Sequence, residues 1–217
     1  MGLDVYMVKI IIPAIFATLR MLAASVTLGT LFGFILAMIL TLTDRNGLHP
    51  NKWIFTVLDF LVNTIRSFPF IILMVAVVPF TKFIAGTSMG ESAAIVPLTI
   101  AATPFIARII DNSMKEVDRQ LVEAARSFGA SNMQILLRVI LVEAVPSIIS
   151  GLVLAIVSVL GATAMAGVIG AGGLGAVGLT YGYQNFNNVI MFITVMILIV
   201  LVQLIQMTGD MIYRKCE

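Results

Sequence analysis

Histidine and cysteine occur once each in this chain of 217 residues, as His49 and Cys216. With so few, neither a Cys/His metal cluster nor a disulfide framework nor an H-E-x-x-H helix can be built. Charge is scarce as well: 11% of residues are Asp, Glu, Lys or Arg against 60% hydrophobic, and the mean hydropathy is +1.09. Such a balance cannot clothe a water-soluble surface, so the chain reads as an all-α polytopic membrane protein. A net charge of +2 is too small to point to a nucleic-acid partner. There is no G-x-x-x-x-G-K-[ST] loop, no G-x-S-x-G elbow and no nucleophile paired with His49, so no enzyme activity is expected of this chain by itself. The start, MGLDVYMVKIIIP, lacks a basic n-region and a small-residue cleavage site, and its apolar stretch is read as retained. The thirteen methionines read as flexible filler in an apolar chain rather than as ligands.

What the chain has in quantity is apolar runs long enough to cross a bilayer, each needing about 20 residues. Five are expected, at about 14–42, 67–85, 93–110, 146–165 and 189–207, with a charged loop over 111–145. Pro13 interrupts the first run, and Arg20 within it can snorkel towards an interface. Gly29 and Gly33 have the G-x-x-x-G spacing that lets two helix backbones approach. In the second run Asp59, Arg66 and Pro69 make 53–66 an interfacial lead-in, with the span following the proline. Pro97 and Pro104 bend or interrupt the third. With the 111–145 loop inside, Arg45, Lys52, Arg108, Lys115, Arg119, Arg126, Arg138, Arg214 and Lys215 are cytoplasmic and Lys9 and Lys82 external. By the positive-inside rule the N-terminus is then outside and the C-terminus in the cytoplasm.

The longest charged segment is 115–146, KEVDRQLVEAARSFGASNMQILLRVILVEAVP. Leu121, Ala124, Ala125 and Phe128 fall at i, i+3, i+4 and i+7 among charged residues, which is an amphipathic helix. Gly129 can take a left-handed C′ conformation, and Ser131 with Gln134 has the form of a capping box, so one short helix ends at the glycine and another starts at the serine. This is either a solvated hairpin or the contact point with a soluble partner.

Glu123-Ala124-Ala125, three residues, then Gly129 resembles the EAA-x3-G loop of the permease subunits of ATP-binding-cassette importers, binding-protein-dependent inner-membrane components. The family pattern continues to a Leu-Pro step, and this sequence departs from it, with Val142 where the proline would stand and Pro146 the next proline. Ile65-Arg66-Ser67-Phe68-Pro69-Phe70 is similar to the signature opening the second span of methionine-type permeases, and MAGVIGAGGLGAVG from Met165 to the loop after their fourth span.

The resemblance implies a type I importer permease with five spans in a bacterial inner membrane. It also implies coupling to an ATPase through Glu123, Ala124, Ala125, Phe128, Gly129 and Ser131, and a pathway involving Arg66, Ser67, Pro69, Met165, Gly167 and Gly170. The partners implied are a second copy of the chain, two cytoplasmic ATPase subunits that hold ATP and Mg, an external substrate-binding lipoprotein and membrane lipid, with no cofactor and no metal in this chain. The cargo implied is methionine, L or D or both, moved by alternating access at a homodimer interface, with another small solute as the alternative. A gradient-driven secondary transporter would need carboxylates or broken helices at matching positions of two repeated halves, and no internal repeat is seen.

Read from the residues alone, Arg66 marks either a tie to another helix, with Asp59, Asp111 or Asp210 as partner, or a wet cavity. Gly170-Ala171-Gly172-Gly173-Leu174-Gly175 matches G-x-G-x-x-G, but it follows an apolar helix rather than a strand and has no acidic residue about 20 positions on, which excludes a dinucleotide site. It is a flexible outer loop, a stretch packed tightly against a neighbour, or the lining of a narrow pathway.

Overall fold

The computed structural model describes residues 6–216, and among them every regular element is helical. Helix α1 (Met7–Thr43) opens with a π-helical turn, Met7–Ile11, directly before Pro13. The proline lacks an N–H, so the wider turn absorbs the missing bond and the expected interruption is only a local widening. After a turn over 44–51 come α2 (Lys52–Ser67), α3 (Phe70–Ala76) and α4 (Val78–Ala85). Helix α5 (Glu91–Lys115) runs unbroken through Pro97 and Pro104. The short α6 (Arg119–Ser127) leads to α7 (Asn132–Val168), then α8 (Gly173–Ala176, continued as π-helix over Val177–Gln184) and α9 (Asn188–Cys216).

Four helices, α1, α5, α7 and α9, are each long and apolar enough to cross a membrane, and the pair α2–α3 makes a fifth if counted as one broken span. The helix axis turns by 108° between α2 and α3. Phe68 and Pro69 are extended there, with ψ of 132° and 128°, because a proline disfavours the helical conformation of the residue before it. Helix α2 keeps a polar stripe, Thr56, Asp59, Asn63 and Ser67, along its length.

Helix α5 is the centre of the bundle, packed by α1, α7, α2, α4 and α3. Met21, Leu98, Ile106, Ile110, Leu136 and Leu160 fill the main core. Around Ile11, Leu174, Val177 and Ile190 a second core joins α8 to the beginnings of α1 and α9. Lipid tails are as apolar as leucine, so these helices gain little from hiding apolar surface and must associate by fit. That is the use of the G-x-x-x-G step. A Cβ on Gly29 would lie 2.9 Å from Cβ of Ala102, and one on Gly33 would lie 2.9 Å from the carbonyl oxygen of Thr103.

The glycine-rich stretch is no flexible loop. Gly170 and Gly172, at φ of 91° and 80°, turn the chain from α7 back into α8. The Gly90 amide donates to the Gly170 carbonyl (3.0 Å) and the Leu174 amide to Oγ1 of Thr18 (2.9 Å). Gly167 lets α7 lie against this hairpin, a Cβ there meeting the Gly175 backbone at 2.8 Å.

A matched pair of substitutions tests the packing. Gly33→Ala presses a methyl on the α5 backbone and should cost about 1–3 kcal/mol, whereas Gly161→Ala, on an open face with nothing within 4 Å, should be neutral or stabilising. Thermal unfolding of the purified protein in detergent should show a lower midpoint for the first only; equal midpoints would contradict the close α1–α5 approach.

Candidate functional site: the turn at one end and the helix break

At the end of the bundle where α5 stops, Asp118 caps α6 by accepting from the Gln120 amide (2.9 Å). Helix α6 closes with amides of Gly129 on the Arg126 carbonyl (3.0 Å) and of Ala130 on the Ala125 carbonyl (3.1 Å), the two bonds of a Schellman motif. Gly129 sits at φ of 80°, a conformation that a side chain would strain. Ser131 then opens α7 with both bonds of a capping box: the Gln134 amide donates to its hydroxyl, and its own amide donates to the Gln134 carboxamide. The second helix does not stop before the membrane, but runs on through a π-helical turn, Leu136–Ile140, and through Pro146 to Val168. Where the Leu-Pro step is missing the helix is continuous, with the π turn ending at Ile140 and Pro146 lying inside the α-helical part that follows.

This turn is anchored on one side and bare on the other. Val122 and Ala125 pack on the main core, and Nδ2 of Asn132 donates to the Leu48 carbonyl (3.0 Å) in the α1–α2 turn. Of the four residues expected on the apolar stripe only Ala125 is turned inward, whereas Ala124, Leu121 and Phe128 face out and Phe128 is 92% exposed. Glu123, Gly129 and Ser131 are exposed too. Glu123 also lines a polar cavity of about 410 Å³ beside Arg119, Arg126, Lys115 and Asp44.

Beneath the turn lies a charge network absent from the expectations. Asp111 has no exposed surface and accepts from Arg108 (3.2 Å), Lys115 (3.0 Å) and the hydroxyl of Thr41 on α1 (3.0 Å). Arg108 reaches on to Asp59 and Asn63 of α2, and Lys115 to Asp44 (2.7 Å). Burial pushes the Asp44 carboxyl up, but the Lys115 ammonium and the loop amides outweigh it and hold the group below the ordinary carboxylate value. A depressed carboxylate stabilises the fold above its unfolded pKa and loses that contribution as pH falls through the folded one, so this tie stands at neutral pH and fails only in acid.

Arg108 and, at the other end of α5, Arg20 of α1, which pairs with Glu91 (2.8 Å), tie helices; Arg66 does not. Arg66 forms no ion pair among the described residues; it lies two turns along α2 from Asp59, and Arg108 holds both Asp59 and Asp111. Its guanidinium carbon lies 5.8 Å from the centroid of the Phe105 ring, at the mouth of a cavity of about 340 Å³ between the break, α5 and α7. Ser67 donates to the Asn63 carbonyl (2.8 Å), and Pro69 stands exposed at the break. The six residues expected on a pathway are thus not one site: Gly167 and Gly170 shape the hairpin, while Met165 is exposed on α7. Met165 belongs to a bare stripe there with Leu154, Ser158, Gly161 and Val168. The spacing of that stripe, alternating four and three, was legible in the sequence but carried no chemical signal to single it out.

Residues 29–215 match the family described as binding-protein-dependent transport system inner membrane component. This chain belongs to that family. It is 44% identical over 96% of its length to the protein from Vibrio cholerae named "Probable D-methionine transport system permease protein MetI", covering 92% of that protein. It is 38% identical to the methionine import system permease protein MetP of Bacillus subtilis, over 80% of this chain and 78% of that one. Among solved structures, a permease chain of the MetNI methionine ABC transporter in an inward-facing crystal form superposes with a TM-score of 0.95 at 39% identity over all of both chains. The fold is that of a type I importer permease. An amino-acid ABC transporter at 22% identity shares the fold, with a TM-score of 0.78 over 94% of this permease and 92% of that chain.

Removing Asp111 tests the network in this permease. Asp111→Ala strands the Thr41 hydroxyl and takes the shared anion from two cations, each of which keeps a second carboxylate. The expected cost is about 3 kcal/mol, the low end for breaking a buried pair, read as a lower thermal midpoint. A midpoint unchanged from the parent would remove the network from the account.

Proposed function

We propose that this chain is the membrane-spanning subunit of an ATP-driven importer of methionine, in one or both stereochemical forms, working as a pair of identical copies. The observation that carries this reading is likeness over the whole chain, in sequence and in fold, to proteins named for methionine transport. ATP and Mg belong to separate ATPase subunits, consistent with the lack of a phosphate-binding loop here.

The α6 turn is where those ATPases dock. A docking element should be rigid, locally capped and apolar on its outer side, and the Schellman closure at Gly129, the capping box at Ser131 and the bare Leu121, Ala124 and Phe128 supply those properties. Glu123 adds a charge at the edge of the same surface. The α6 end is then cytoplasmic, in keeping with the excess of Lys and Arg there, and the opposite end receives the substrate-binding lipoprotein. The second copy faces the bare stripe of α7 and the α2–α3 break, so that cargo passes between two-fold related Met165 and Ser158 faces. Alternating access follows if the ATPase binds the two arrangements of the pair with different affinity.

The test joins docking to transport. Phe128→Ala removes an exposed ring and leaves the fold untouched, so the thermal midpoint should hold. Loss of one buried aromatic anchor should weaken association with the ATPase about tenfold or more. Copurification of the ATPase should fall, along with uptake of labelled L- or D-methionine in cells without other methionine transporters. Normal copurification with normal uptake would remove the docking assignment, and uptake that never depended on this gene would remove methionine.

A further inference from the structure

We propose that the cavity at the α2–α3 break is a subsite for an amino acid in transit, with the guanidinium of Arg66 receiving its carboxylate; this rests on the importer reading above. Arg66 stands beside Phe105, which lies within α5 one turn further into the bundle than Arg108. A charge at that depth needs an anion or water rather than lipid. The carboxylates on its neighbours, Asp59 and Asp111, are both engaged by Arg108. An arginine supported on an aromatic ring keeps its N–H edge free, which is the edge that takes a carboxylate through two parallel hydrogen bonds.

The walls suit the rest of such a molecule. Phe68, Phe70, Leu73 and Val159 make the cavity largely apolar, and its volume of about 340 Å³ is at the small end of sites for small molecules. The Ser158 hydroxyl donates to the Leu154 carbonyl (2.9 Å), so its oxygen still has a lone pair for an ammonium group. The backbone around Phe68 and Pro69 leaves the helical path at the same place, and irregular backbone at membrane depth persists where it is buried or lines a wet cavity. One charge, one hydroxyl and an apolar wall orient a zwitterion with an aliphatic side chain while holding it weakly, as transit requires.

The experiment uses the permease–ATPase complex in lipid nanodiscs, with Cys216→Ser and a reporter thiol at Ala101→Cys, a wall position of the cavity. The rate of labelling by a water-soluble thiol reagent is measured against added methionine or methioninamide, which lacks the carboxylate. Methionine should slow labelling and the amide should not, and Arg66→Gln should raise the concentration for half protection about tenfold or more. Arg66→Lys, which keeps the charge but not the fork, should fall between, and serves if the glutamine variant does not assemble. Equal protection by acid and amide, no protection by either, or protection indifferent to both variants overturns the subsite. Methionine uptake by the reporter complex with its binding protein is measured in parallel: a complex that transports without protection loses the subsite alone, whereas one that never transports loses the importer reading and the subsite with it.

Discussion

A carboxylate without exposed surface, Asp111, holds two cations of its own helix and a hydroxyl from α1, and those cations reach Asp59 on α2 and Asp44 beyond α1. Replacing such a cluster with apolar side chains could be neutral for stability, because desolvation offsets much of the attraction. Its effect is on arrangement: a charge inside a bundle must be satisfied in one place, and that requirement fixes the depth and rotation of α1, α2 and α5 relative to one another. Because Lys115 is also the last residue of α5, the network ends where the α6 turn begins. The membrane half and the α6 turn are therefore joined at an ion-paired residue, Lys115, rather than by a free linker.

In lipid, the remaining contacts must come from shape. Gly29 and Gly33 bring α1 to van der Waals distance from α5, and Gly167 does the same for α7 against the α8 hairpin. With the helices held so closely, small and polar residues left bare at the surface stand out. Ser158 and Gly161 on α7 and the stripe from Thr56 to Ser67 on α2 are such places, and they flank the α2–α3 break. A permease that passes cargo along a two-fold axis needs a lining of this kind, polar enough to hold water and too sparse to trap a ligand.

Local chemistry made the turn legible in advance. Capping at Ser131 and the left-handed Gly129 are decided by residues within a few positions of each other, and so were the break at Pro69 and the close step at Gly29 and Gly33. Pairing across the bundle was not legible. Asp59 and Arg108 lie 49 positions apart, and nothing in the order of residues says that Arg108 of α5, rather than Arg66 of the same helix, will take that carboxylate. Glycine in 167–182 left looseness and close packing both open in the sequence, and its effect here is to let helices touch.

The claim that the α6 turn is the ATPase-docking surface is tested most directly by site-specific crosslinking. Phe128 and Phe83 are both bare aromatic residues, 92% and 86% exposed, at opposite ends of the bundle. A benzophenone carried on a single cysteine at each position, with Cys216→Ser, would be irradiated in the assembled transporter. The account predicts that the probe at position 128 captures the ATPase and the probe at position 83 does not. Capture from position 83, or equal capture from both, would contradict it.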